Sequence, residues 1–200
     1  MRASRQTFET HRAAILHAAG RMFRDHGVDR VSLAEVSREA GLTHGAFYGH
    51  YPSKTALVEA SCRETMRRAA ETWRRRALDA RASGNCGVDA IVMAYLSESH
   101  FDAPEHGCAL GAIGQELTRG DAALRQALAE GVAALTAVLG EEVAVSRPGL
   151  DPASTERIAQ GVLAVMAGGL VLSRSITDPV KSAAALLAAR GAARAACLAD

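Results

Sequence analysis

The segment from Glu98 to Cys108 brings together several groups that can bind a metal ion. It reads ESHFDAPEHGC and contains two histidines, three carboxylates and a cysteine. A zinc site could be drawn from His100, His106 and Cys108 with Glu98 or Asp102 as a further ligand. However, the spacing matches no standard zinc pattern, and loops commonly collect such side chains for capping. We therefore predict no metal and no cofactor here.

The thiol of Cys108 has a second chemical use. It follows Gly107 at the expected N-terminus of a helix, where backbone N–H groups stabilise a thiolate, and His106 is near in sequence. A thiol activated in this way would sense oxidants or electrophiles. The alternative is a small buried packing residue, because cysteine is among the residue types most often buried.

The sequence carries none of the common motifs of enzymes. It lacks the G-x-S-x-G nucleophile elbow, the H-E-x-x-H zinc motif and a dinucleotide-binding glycine loop. The string GHYPSK lacks the glycine that precedes lysine in a phosphate-binding loop. We predict that the chain is not an enzyme and keep a helical enzyme as a remote alternative.

The helices that would position functional side chains are predicted most clearly between Val31 and Lys54, VSLAEVSREAGLTHGAFYGHYPSK. Ser32 with Glu35 three residues later forms a capping box, which starts a helix at about Leu33. Gly41 ends that helix, because a residue without Cβ readily adopts the left-handed conformation.

Thr43 caps a second helix, which runs to the residue before Pro52. Phe47 and Tyr51 share its inner face, whereas Tyr48 points outward. Two short helices joined by a glycine-containing turn form the helix-turn-helix pattern, whose second helix enters the DNA major groove. An ordinary helical hairpin would carry the same caps and the same glycine.

Residues Arg12 to Lys54 resemble the N-terminal domain of the TetR/AcrR family of bacterial transcriptional repressors. The resemblance rests on the segment AAILHAAGRMFRDHG, on the helix pair, and on the aromatic-Tyr-x-His-aromatic pattern from Phe47 to Tyr51 followed by Ser53-Lys54. It implies a ligand-responsive regulator, a repressor, that binds a palindromic operator as a homodimer. A small-molecule or electrophile effector would release it, and a redox-sensing regulator acting through Cys108 is the alternative.

The resemblance also implies which residues contact DNA. Phosphate contacts are expected from Ser32, Thr43, Tyr48, His50 and Lys54, and base-edge contacts from His44 and Gly45. His44 stands where the family often has lysine, so its attraction to phosphate depends on pH. Gly49 stands where the family has a larger residue, so no side-chain contact is expected from it.

Composition and charge agree with an all-α DNA-binding chain. Aromatic residues make up 4% of the sequence, and long stretches have a period near 3.6. Residues 1–81 hold 15 basic against nine acidic side chains, a formal charge of +6, whereas residues 82–200 carry −5. Such asymmetry is typical of a chain with one end on a polyanion, although solvated helix faces also collect arginine.

We expect about nine helices in two domains. The helix pair lies in a three-helix helix-turn-helix domain at residues 1–53, and a helical ligand-binding and dimerisation domain follows at residues 54–200. Besides the pair, helices are expected over residues 8–26, 53–82, 88–101, 108–118, 122–145, 152–176 and 179–198, with residues 1–7 as a tail. The long fourth helix would connect the second domain to the helix-turn-helix domain at residues 1–53, which we call the reading head.

The resemblance implies a ligand site between the fourth to eighth helices, although each candidate residue suits a core equally well. The candidates are Trp73, Met93, Tyr95, Phe101, Cys108, Leu110 and Met166. It also implies that the helices at residues 152–176 and 179–198 form a four-helix bundle with a second copy of the chain.

We expect a cytoplasmic protein with no membrane partner and no disulfide framework. The first ten residues are polar and charged, unlike a signal peptide, and the longest apolar run, residues 161–172, is shorter than the roughly 20 residues that cross a bilayer. The four cysteines are far apart and show no C-x-x-C spacing.

Overall fold

The computed structural model describes residues 2–198, without the side chains of residues 2–4, His44 and Leu198. These residues form ten α-helices and one 3-10 turn at Pro104–His106, with no strand among them. The all-α class is therefore confirmed. The helices are α1 Arg2–His26, α2 Leu33–Glu39, α3 His44–Phe47, α4 Lys54–Ala82, α5 Gly87–Tyr95, α6 Glu98–Asp102, α7 Ala109–Thr118, α8 Ala122–Ser146, α9 Pro152–Ser175 and α10 Pro179–Leu198.

The chain divides into two compact units. The first runs to Met66 and includes Pro104–Gly131, and the second comprises Arg67–Ala103 and the chain from Val132 onward. Helices α4 and α8 therefore contribute to both units. The division at residue 53 that the sequence suggests is a division by function, and it stays a prediction.

In the first unit, the apolar stripes of α1 to α4 meet in one core. Ile15 and Phe23 of α1, Val36 of α2, Phe47 of α3 and Leu57 of α4 are each at most 1% exposed. Burying these side chains supplies most of the stabilisation that such short helices need, because helices of one or two turns are marginal alone. The core therefore fixes α2 and α3 by their inner faces.

In the second unit, α9 packs along α10. A Cβ atom on Gly169 would lie 2.3 Å from the Cβ of Ala189, so glycine is needed where these helices cross. The Ser182 hydroxyl donates to the carbonyl of Ser173 at 2.8 Å and joins the two helices near their connection. Val162, Met166 and Leu170 of α9 and Leu186 of α10 are buried, each at most 4% exposed.

The caps predicted around the helix pair are confirmed. Ser32 and Glu35 form the capping box, and Thr43 caps α3. Far from this pair, Asp151 caps α9 ahead of Pro152. Gly27 and Gly41 close α1 and α2 with φ of +84° and +71°, the region in which a side chain would be strained.

Three predicted boundaries are wrong. Helix α1 begins at Arg2 instead of Phe8, so that Phe8, which packs against His50, lies inside the helix. Helix α3 ends at Phe47, and the residues up to His50 form a turn before Pro52. The helix expected over residues 88–101 divides, because the Ser97 hydroxyl accepts from the His100 amide at 3.2 Å and starts α6.

Candidate nucleic-acid interface

Ser32 and Glu35 hold the start of α2 through three hydrogen bonds. The Ser32 amide and hydroxyl donate to Glu35 Oε2 at 2.8 and 2.7 Å, and the Glu35 amide donates to Ser32 Oγ at 3.2 Å. These bonds hold the pKa of Glu35 below its ordinary value. Both donors that Ser32 could offer to a phosphate are therefore engaged by Glu35.

Helix α3 and the turn after it separate an inner from an outer side. Phe47 is fully buried and Tyr51 is 4% exposed, whereas Tyr48 is 53% exposed and meets Phe47 edge-to-face at 5.5 Å. Thr43 Oγ1 accepts from the Ala46 amide at 3.3 Å and still has its own hydrogen to donate. The outer side presents hydroxyl groups on a rigid backbone.

Gly45 gives this outer side its flat surface. It is exposed, and a Cβ atom placed on it would meet no heavy atom within 4 Å. Packing inside the protein therefore does not require glycine at this position, and the missing side chain leaves room for another molecule to approach the backbone of α3 closely.

His50 is half-buried against the N-terminal part of α1. Its ring lies 4.2 Å from the Phe8 ring, measured between centroids, and 6.0 Å from the His11 ring. Burial lowers the pKa of His50 below 6.5, the charges of His11 and Arg12 lower it further, and Glu9 raises it. The imidazole is therefore neutral in the free protein at pH 7.

Lys54 is the first residue of α4, where the helix dipole disfavours a cation. Its ammonium donates to the carbonyl of Asp29 at 3.4 Å, across the loop that joins α1 and α2. The contact keeps the charge beside the helix pair.

Of the seven predicted DNA contacts, Thr43, Gly45 and Tyr48 share the outer side of α3 and its turn. The side chain of His44 lies outside the described part of the structure. His50 and Lys54 are half-buried nearby in the chain, and Ser32 is exposed but engaged. DNA contact by these residues stays a prediction.

Sequence reasoning missed the residues of α1 and α7 that brace this region. Phe8 and His11 stand three apart and so share one face of α1, a signal that was present in the sequence. The Val28 amide donates to Glu116 Oε2 at 2.7 Å, and the Arg24 guanidinium donates to Thr65 Oγ1 at 2.9 Å. These partners are 41 to 88 residues apart, and no local pattern predicts them.

The predicted ligand residues fall in both units. In the second, the Trp73 and Tyr95 rings meet edge-to-face at 5.7 Å, and both side chains are at most 7% exposed. Met166 is fully buried, Phe101 is half-buried and Met93 is 41% exposed. Cys108 and Leu110 belong to the first unit. Their role in ligand binding stays a prediction.

His100 and Arg174 form a polar cluster beside Tyr95. The His100 Nδ1 atom is 2.5 Å from the carbonyl of Tyr95, and burial is the main cause that lowers the pKa of His100. Arg174 donates to the carbonyls of His100 and Phe101 at 2.6 and 3.1 Å, which satisfies the end of α6. Among the described residues, no three His, Cys, Asp or Glu side chains converge as metal ligands.

Cys108 is 6% exposed and stands at the N-cap of α7. The positive charge of Arg24 interacts with its thiol, although burial is the main influence on Arg24 and lowers the pKa of that guanidinium. Burial also raises the pKa of Cys62 to about 11. Cys86, by contrast, is exposed. None of the four cysteines, all within the described residues, is in a disulfide.

Residues 15–61 match the family model of bacterial regulatory proteins of the tetR family. The match contains α2, α3 and the first turns of α4, the elements whose geometry is described above. Residues 15–61 therefore form a domain of the tetR family. The resemblance predicted from the sequence is therefore confirmed.

Curated relatives match less than a third of this chain. The chain is 40% identical over 60 residues to the HTH-type transcriptional regulator TtgR of Pseudomonas putida. These residues make up 30% of this chain and 29% of TtgR. It is 39% identical over 56 residues to the HTH-type transcriptional regulator AcrR of Shigella flexneri, 28% of this chain and 26% of AcrR. The matches thus span less than a third of these relatives.

The fold of the chain is similar to solved structures over almost its whole length. The reduced form of E. coli NemR superposes with a TM-score of 0.72 at 19% identity, covering 92% of this chain and 95% of NemR. At this identity the likeness establishes the fold and leaves ligand and chemistry open.

Proposed function

We propose that the chain is a ligand-responsive transcriptional repressor that binds a palindromic operator as a homodimer and leaves it when a small molecule binds. The observation that carries the proposal is the two-sided character of α3 and its turn. Phe47 and Tyr51 fix the inner side in the core, and Thr43, Gly45 and Tyr48 present an exposed outer side. A rigid helix with a small, polar outer side suits entry into a major groove.

Exposure and charge support phosphate contact at this surface. Tyr48 is 53% exposed, and tyrosine is a common donor to phosphate oxygens; Lys54 adds a cation at the start of α4. The +6 charge of residues 1–81 supplies a sequence-independent attraction to DNA that weakens as salt is added.

The exposed apolar faces of α9 and α10 support a homodimer. On each helix, exposed small or aliphatic residues recur three and four positions apart, which places them on one face. They are Ala164, Gly168, Val171 and Leu172 on α9, and Val180, Ala184, Leu187, Ala188 and Gly191 on α10. Small side chains let helices approach closely, so a second copy of the same face would complete a four-helix bundle.

Helix α4 is the element through which we propose that an effector acts. Lys54–Met66 belong to the first unit and Arg67–Ala82 to the second, in one unbroken helix. An effector that binds one state of the dimer more tightly shifts the population toward it and changes the spacing of the two reading heads. The aromatic pair Trp73 and Tyr95 is where we expect the effector to bind.

The test is binding of the full chain to DNA duplexes enriched from a random library by the protein itself. We expect an enriched palindromic sequence whose affinity falls steeply with salt. A Tyr48→Ala, Lys54→Ala double variant should lose sequence-specific binding and keep its fold. Lys181→Ala removes a cation from α10 and serves as the control. Specific binding retained by the double variant would refute the assignment of the interface.

Sedimentation velocity tests the dimer. Leu187→Asp places a charge on the exposed face of α10 and should give monomers at micromolar concentration, whereas wild type sediments as a dimer. Leu78 of α4 is also 56% exposed and outside that face, so Leu78→Asp is the matched control. Dimers that persist in Leu187→Asp would exclude this face as the interface.

The alternative is an electrophile or oxidant as effector, acting at Cys108. The charge of Arg24 near the thiol favours it, because a cation stabilises a thiolate. An electrophile with an activated double bond would add to sulfur, and the thiol proton would pass to the neighbouring carbon. Release of operator DNA by N-ethylmaleimide in wild type but not in Cys108→Ser supports this route, and equal release in both excludes it. The proposed regulator acts in the cytoplasm, where its operator lies.

A further inference from the structure

The N-terminal part of α1 encloses one ring nitrogen of His50. Nδ1 of His50 is buried and has no hydrogen-bond partner among the described residues. The Phe8 ring covers the imidazole at 4.2 Å with a tilt of 33°, and the His11 ring meets it edge-on at 6.0 Å. With Nδ1 enclosed, the ring can reach another molecule only through Nε2.

The surroundings of the ring oppose a positive charge on it. The charged or titratable groups that face it are Glu9, His11 and Arg12, all on α1, and two of these three are basic. Burial and the two basic groups lower the pKa of His50, and the single carboxylate of Glu9 raises it by less. Free His50 is thus kept neutral by its neighbours.

A DNA phosphate reverses this balance. An anion within hydrogen-bond distance of Nε2 favours the charged imidazolium and raises its pKa, because the charged form then donates a charge-assisted hydrogen bond. We propose that Phe8 and His11 hold His50 neutral in the free protein, with its one ring proton on the enclosed Nδ1. A solvent proton then joins Nε2 when an operator phosphate accepts a hydrogen bond from it, so that DNA binding takes up as much as one proton per protomer. Phe8 and His11 are positioning residues in this scheme. The inference rests on the proposed operator binding.

The sign of the pH effect follows from linkage. When the pKa of a group rises on binding, the complex becomes tighter as pH falls. This happens over the pH range between the pKa in the complex and the pKa in the free protein. Because the free value lies below 6.5, affinity should increase from pH 8 to pH 6. Each pKa unit gained on binding tightens the complex about tenfold per protomer.

The experiment measures dissociation constants of the full chain for its enriched duplex from pH 6 to 8, at constant ionic strength. Wild type should bind about tenfold or more tightly at pH 6 than at pH 8. His50→Gln keeps a donor near the position of Nε2 and cannot be protonated, so it should lose most of this pH dependence. His44→Gln tests whether the neighbouring histidine at the start of α3 carries the pH dependence instead. His17→Gln, an exposed histidine on α1, is the matched control and should behave as wild type.

Histidine ring NMR on the same protein reads the proton directly. The His50 resonance should titrate below pH 6.5 in the free chain and at a higher pH in the complex. Phe8→Ala uncovers the ring and should raise the pKa of His50 in the free protein. The pH range over which affinity changes, between the free and the bound pKa, should then become narrower. His11→Gln should act in the same direction and replaces Phe8→Ala if that variant does not fold.

Two results would overturn the inference while leaving the regulator intact. One is wild-type pH dependence in His50→Gln, and the other is an identical His50 titration with and without DNA. If no duplex is enriched at any pH, the proposed operator binding itself is wrong, and the inference is lost with it.

Discussion

The Glu116 carboxylate of α7 accepts a hydrogen bond from the Val28 amide at 2.7 Å. Val28 follows Gly27, the residue that closes α1, and a Cβ on Gly27 would lie 3.0 Å from Glu116 Oε1. One carboxylate thus holds the turn from which the helix pair starts. The bond lies inside the first unit, which contains both α7 and the helix pair.

Removing this carboxylate should destabilise the protein. In Glu116→Ala the Val28 amide loses a charged acceptor, and we expect the free energy of unfolding to fall by about 1–3 kcal/mol. Urea unfolding followed by circular dichroism measures it. Gln115→Ala, an exposed neighbour on α7, is the control and should stay within about 0.5 kcal/mol of wild type. Equal stability of the two variants would show that the Val28 contact contributes nothing.

Gly45→Ala should separate DNA binding from folding. The added methyl group meets nothing in the protein, and alanine favours helix over glycine, so stability should stay or rise by as much as about 1 kcal/mol. On DNA the methyl group occupies the space we assign to base edges, and affinity should fall about tenfold or more. Gly140→Ala, where ordinary contacts receive the methyl group, is the control for added helix propensity. Undiminished affinity in Gly45→Ala would place the DNA elsewhere.

Glu142 predicts a pH dependence of stability. Its side chain is nearly buried, its Oε2 has no partner among the described residues, and burial raises its pKa despite the Arg81 guanidinium at 3.5 Å. A carboxyl group with a raised folded-state pKa binds more protons folded than unfolded, so stability falls as pH rises above 4.5.

Glu142→Gln should therefore be more stable than wild type at pH 7, with an advantage that shrinks as pH falls toward 4.5. Thermal unfolding at a series of pH values measures the difference. Glu156→Gln, at an exposed carboxylate on α9, is the control and should show no such trend. A Glu142→Gln variant that is less stable than wild type at pH 7 would mean that the Arg81 ion pair outweighs burial.

The four cysteines should differ in reactivity. Cys86 is exposed, whereas burial raises the pKa of Cys62 and Cys197 to about 11, so their thiolates are scarce at pH 8. We expect N-ethylmaleimide to modify Cys86 first and the buried thiols about tenfold or more slowly. Mass spectrometry of digests at short times measures this order. Denatured protein, in which all four should react alike, is the control, and rapid labelling of Cys108 would contradict the order.

Much of the local structure could be predicted from the sequence. The box of Ser32 and Glu35 and the glycines that close α1 and α2 act within four residues, so type and spacing suffice to locate them. The outward position of Tyr48 follows equally from its place next to Phe47. The start of α1 could not be found, because the contact of Phe8 with His50 joins residues 42 positions apart.

The long-range hydrogen bonds that hold the helix pair in place could not be predicted from the sequence either. Nothing in the sequence distinguishes Arg24 and Glu116 from charged side chains that face solvent. Their partners are carbonyl, hydroxyl and amide groups far away in the sequence. The break at Ser97 was local but hidden, because serine interrupts an apolar period without glycine or proline to mark it. Such positions depend on which tertiary contacts form.

The capping box that starts α2 also limits what Ser32 could contribute to the proposed DNA contact. A phosphate that reaches Ser32 must displace the Glu35 carboxylate, so the contact exchanges one anion for another of the same sign. Such an exchange adds little net free energy, since every hydrogen bond gained replaces one that was present. Affinity must then come from groups that no anion of the protein already engages.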